Sequence, residues 1–133
     1  VNSSFEFLNV DLDIESRFSL DPLLSELGDR VHVLHSESKP NKHFVVMEIC
    51  RLWKVPSPDK TIAALCDVVE SISPNARKIW KQARRKIFNV GLDIDSKASH
   101  LCISISDRSL HRIADLGGSV AFTCYNHSNF RKL

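Results

Sequence analysis

The sequence predicts an α+β fold: a ferredoxin-like β-α-β-β-α-β core extended by a further β-α-β. Three observations carry this. The stretch FLNVDLDIES at 7–16 is echoed by IFNVGLDIDS at 87–96, with six of ten positions identical. In both, apolar residues alternate with acids, the period of a strand with one buried face. Between them, 57–85 reads as a central helical segment, with apolar residues at three- and four-residue spacing.

The elements follow in order. Val10, Leu12 and Ile14 face inward on the first strand, and Asp11, Asp13 and Glu15 face outward. SLDPLLSELGD makes a short helix with Leu20, Leu23, Leu24 and Leu27 on one side, stopped by Gly28. VHVLHSES and HFVVMEIC are strands joined by the turn KPNK. Ser57-Pro58 and Ser73-Pro74 are helix-start signals, so the helical segment breaks at Ser73 and resumes with Ala76, Ile79, Trp80 and Ala83 inward. The second echo makes a strand with Val90, Leu92 and Ile94 inward and Gly91, Asp93 and Asp95 outward. HLCISIS is expected to form another strand, DRSLHRIADLGG a helix closed by Gly117 and Gly118, and VAFTCYN the last strand before a loose tail. The echo is therefore expected to mark an internally repeated β-α-β unit, over about 5–36 and 86–125, with one strand inserted in the second copy. In a ferredoxin-like sheet the first and fourth strands, here the echoing pair, lie side by side and antiparallel.

The 133 residues fit a single domain spanning 1–133, with 43% hydrophobic and 26% charged residues, far from the signature of disorder. No apolar run reaches the length of a membrane span and no secretory leader is visible, so a cytoplasmic protein with no membrane partner is expected. Cys50, Cys66, Cys102 and Cys124 show no C-x-x-C pair and read as small core residues of a reduced compartment. The six histidines lack metal-ligand or catalytic spacing, and no nucleotide or hydrolase fingerprint occurs. The expectation is thus a protein without catalytic residues, metal or cofactor. A hydrolase reading would need a histidine meeting an acid, for instance His111 with Asp107 or Asp115.

Charge is segregated along the chain. The first thirty residues hold Glu6, Asp11, Asp13, Glu15, Asp21, Glu26 and Asp29 against Arg17 and Arg30, while 76–90 hold six bases and no acid. Asp11, Asp13, Glu15, Asp93 and Asp95 are expected on the open face of two adjacent strands. That face reads as solvated, as a docking surface for a basic partner, or as a catalytic or metal pair. A second copy of the chain is another occupant it would accept, as a homodimer. The basic run 77–86 is expected to be helical, and Lys78, Lys81, Arg84 and Arg85 give an alternative nucleic-acid-binding surface. Trp80, on the apolar stripe, reads as core.

Taken together, LDIES…LDPLLSELG, Trp53 ahead of a Ser-Pro helix start, TIAALCDVVESISPNARKIW and SDRSLHRIADLGGSVAFTCYN resemble a widespread bacterial family of small α+β domains of unknown function. In that family a helix ending in Leu-Gly precedes a closing strand ending in tyrosine, here Tyr125. The resemblance implies a non-enzymatic binding domain similar to immunity proteins, which bind and neutralise a bacterial toxin domain. On that reading Asp11, Asp13, Glu15, Asp93 and Asp95 are the partner-binding residues.

Overall fold

A computed structural model describes residues 5–94, 100 and 102–126. It is α+β, with a mixed five-stranded sheet and four helices. The strands are β1 (Phe5–Ser16), β2 (Val31–Lys39), β3 (Lys42–Ile49), β4 (Arg85–Ile94) and β5 (Ser119–Asn126). The helices are α1 (Asp21–Leu27), α2 (Pro58–Glu70), α3 (Pro74–Gln82) and α4 (Asp107–Asp115). The sheet order is β2-β3-β1-β4-β5, antiparallel except for the parallel pair β4 and β5.

The core lies between the helices and one sheet face. Val10, Leu12 and Ile14 of β1, Val45, Met47 and Ile49 of β3 and Phe88, Val90 and Leu92 of β4 meet Ile62, Leu65, Cys66 and Val69 of α2, all buried. Alternation in the strands and helical spacing in α2 produce these two surfaces. Trp80 is 3% exposed, and its indole Nε1 donates to the Leu116 carbonyl at 2.8 Å, joining α3 to the end of α4. Arg112 of α4 reaches Asp67 at 2.5 Å and Glu70 at 2.7 Å on α2.

Serine caps set the helix starts. Ser57, Ser73 and Ser106 each accept a backbone N–H three residues on. The Ser73 amide and hydroxyl also donate to the Glu26 carboxylate of α1, which holds that carboxyl below its ordinary range. Ser73→Ala is therefore expected to destabilise the fold by about 1–2 kcal/mol in urea unfolding. At the other end of α4, Gly117 has φ 74°, a backbone that terminates the helix with little strain only for glycine.

Several expectations are corrected. HLCISIS forms no strand among the described residues: His100 and Cys102–Ser106 have no regular secondary structure. Its alternation reflects Ile103 and Ile105 packing on the core, while the Ser106 amide is taken by Asp59 Oδ1 at 2.9 Å. Residues 95–99 and 101, Asp95 included, lie outside the described residues. The basic run is not one helix. Ala83 turns extended, the Arg84 amide donates to the Glu15 carbonyl at 2.9 Å, and Arg85 and Lys86 open β4. Of the cysteines only Cys66 is buried; Cys102 and Cys124 are exposed and Cys50 is partly so. Cys124 is exposed because β5 is an edge strand, of which Val120 packs on the core while Phe122 stays half exposed. The two β-α-β units also close differently: β3 separates β1 from β2, whereas β4 and β5 pair directly.

Candidate functional site: the open face of the sheet

Since Val10, Leu12 and Ile14 point into the core, Asp11, Asp13 and Glu15 project from the opposite face, on which no described helix packs. Pairing sets their neighbours. Asp11 faces Glu48 on β3 and Asn89 on β4; Asp13 faces Val46 and Ile87; Glu15 faces Phe44 and Arg85. A row of acids in the centre of the sheet is thus flanked by partly apolar strands.

These acids are not the freely solvated row that alternation alone implies. Each of the three is half-buried by its cross-strand neighbours. Burial raises the Asp11 carboxyl to about 6, with Asp13 and Glu48 adding like charge and Lys54 opposing. Asp13 is also raised by burial, against a hydrogen bond from Asn89 and the charge of Arg85. Glu15 is paired with Arg84 Nε at 2.8 Å. Glu48 is paired with Lys54 at 2.7 Å and accepts from the Asn9 amide.

Asp93 lies on the same face, opposite Glu6 on β1 and Tyr125 on β5. The structure therefore brings Asp11, Asp13 and Glu15 together, sets Asp93 at one end, and adds Glu48, Asn9 and Asn89, which sequence reading missed. Glu48 carried a signal, as the single acid in HFVVMEIC. Its approach to Asp11 depends on β3 pairing with β1, which alternation does not specify.

A groove of about 350 Å³ opens beside Asp11 and Asn89, between Leu8 and Tyr125 and above Gly91. A second, of about 310 Å³, lies toward the basic end, where Lys42 and Arg85 meet Asp13 and Glu15. Among the described residues no group of three or more histidine, cysteine or acidic side chains is placed to hold a metal ion. None of the described helices is long and apolar enough to cross a membrane.

The other candidates disperse. Lys78 and Lys81 are exposed on α3, but Arg84 turns to Glu15 and the Asn41 carbonyl, and Arg85 lies opposite Glu15 on the acidic face. Lys78 and Lys81 thus lie on α3, Arg84 in the link and Arg85 at the start of β4. His111 is exposed and makes no hydrogen bond or ion pair with Asp107 or Asp115. Comparison of the chain with family models, with curated proteins and with solved structures finds no match.

Proposed function

We propose that this chain is a protein-binding domain that acts without catalysis, docking a basic partner on the open face of its sheet in the manner of an immunity protein on a toxin domain. One observation carries the reading. A sheet face on which no described helix packs gathers Asp11, Asp13, Glu15 and Glu48 from adjacent strands and sets Phe44, Val46 and Ile87 among them. Apolar area supplies contact and the acidic row supplies the sign of the partner, since complementary fields speed encounter and reject like-charged surfaces. Four free cysteines accord with a partner met in the cytoplasm. The order β2-β3-β1-β4, antiparallel throughout, supports a ferredoxin-like core whose uncovered face is the one used.

The test is capture from the native host with tagged protein. Wild type is expected to retain a basic protein, and Asp13→Lys with Glu48→Lys to slow its association about tenfold or more at low salt. Lys78→Glu with Lys81→Glu on α3 is expected to leave it unchanged. Loss through α3 with retention through the sheet variants, or recovery of nucleic acid in place of protein, contradicts the reading.

A further inference from the structure

The groove at Asp11 is built where the two echoing stretches meet. In the β1–β4 register Asn9 lies opposite Gly91, Val10 opposite Val90 and Asp11 opposite Asn89. The valines point into the core, so each stretch turns two flanking residues to the open face. Three of these carry polar side chains. The fourth, Gly91, carries none, so where the first stretch has the Asp11 carboxylate the second has a gap.

Nothing in the backbone calls for glycine there. Gly91 has no positive φ, and a Cβ would meet only ordinary contacts, 3.5 Å from the Asn9 carbonyl oxygen, 3.9 Å from Leu8 Cβ and 4.0 Å from Tyr125 Cε2. Glycine inside a strand weakens it and marks a bulge, a bend or a close approach by a ligand or another backbone. On β1 the register shifts between Phe7 and Asn9, and this bulge brings Leu8 to the groove. Leu8 and Tyr125 then form two apolar walls over an open floor.

The charges are unequally satisfied. Asp13 is bonded by Asn89, whose Oδ1 accepts from Thr123 Oγ1 at 2.8 Å; Glu48 is held by Lys54 and Asn9, and Glu15 by Arg84. Asp11 has no hydrogen bond or ion pair among the described residues, although it is half-buried beside Asp13 and Glu48, with Lys54 the cation acting on it. An ionised carboxylate in such a position is costly until a cation reaches it.

We propose that this groove is the socket for one arginine or lysine side chain of the partner, its cationic head on Asp11 and its aliphatic stem between Leu8 and Tyr125 above Gly91. The proposal rests on the docking reading of the same face and names its anchor. Arginine and lysine have an apolar stem and a charged head, matching the Leu8 and Tyr125 walls and the Asp11 carboxylate in turn. A volume of about 350 Å³ lies at the lower end of small-ligand clefts and suits one long side chain.

The probe is N-acetyl-arginine methylamide, titrated into the whole chain while aspartate carboxyl and backbone amide signals are followed by NMR, with the norleucine analogue as the uncharged control. Saturable shifts at Gly91 and Thr123 are expected, with the Asp11 titration midpoint moving down by at least about half a pH unit. The saturable shift at Thr123 is expected to vanish in Asp11→Asn and in Gly91→Val, which fills the floor with a strand-favouring residue, and the Asp11 midpoint to stay unmoved by the probe in Gly91→Val. A weak, unsaturable response spread over all the face carboxyls overturns the socket and leaves the docking reading standing. A saturable response that survives in Gly91→Val also overturns it. A saturable response confined to wild type supports the socket, and partner capture indifferent to Asp13→Lys with Glu48→Lys then removes the docking reading alone.

Discussion

Trp80→Ala is expected to lower the unfolding free energy by about 3–5 kcal/mol, the range for removing a large aromatic side chain from a core. Trp80 is 3% exposed, and Ala76 of α3 and Ala83, just past its end, are buried with it. Two further interactions depend on it. The indole N–H satisfies the Leu116 carbonyl at the end of α4, and Lys86 Nζ lies 5.6 Å from the ring centroid. Trp80→Phe separates the contributions, because it keeps most of the buried area and leaves the carbonyl without its donor, at a cost of about 1–3 kcal/mol. Urea unfolding of both variants reads the two values. Equal losses for Phe and Ala would show that the hydrogen bond, and not the packing, holds α3 to α4.

Asp11→Asn is expected to stabilise the fold, with a pH dependence of definite sign. Burial, with Asp13 and Glu48 as like-charged neighbours, raises Asp11 to about 6 in the folded chain, whereas the unfolded chain ionises near the ordinary aspartate value. Between about pH 4 and pH 6 the folded state holds a proton that the unfolded state has released, so stability falls as pH rises through this window. Below it both states are protonated and asparagine gains little. Above it the folded state carries the full cost of the charge. The gap between the folded and unfolded midpoints corresponds to about 3 kcal/mol; with the carboxyl still half in water, we expect about 1–2 kcal/mol in favour of the variant at pH 7. Thermal unfolding from pH 4 to 8 checks this. A constant difference across that range would mean that Asp11 titrates as an ordinary surface aspartate.

Local pattern carried the elements that one segment determines alone. Strict alternation in NVDLDIES and NVGLDIDS marked β1 and β4, and Ser-Pro marked the starts of α2 and α3. The failures lie where neighbours decide. HLCISIS has strand periodicity, but two core-facing isoleucines on an irregular connector give the same period. The basic run has helical charge spacing, but the Arg84 amide finds the Glu15 carbonyl and the chain passes into the sheet. At the site, the outward aim of Asp11, Asp13 and Glu15 was legible from alternation. Their half-burial was not, because it comes from β3 and β4 on either side. Nor was the groove, which needs the cross-strand meeting of Asn9 with Gly91 and a bulge at Leu8.

The most direct test of the docking account joins stability and binding in one substitution. For the partner captured from the host, affinity and unfolding temperature are measured for wild type and Asp11→Asn at pH 7. The variant is expected to be more stable yet to bind about tenfold or more weakly, because the carboxylate that burdens the free fold is the one the cation relieves. A variant that is more stable and binds as tightly as wild type would contradict it.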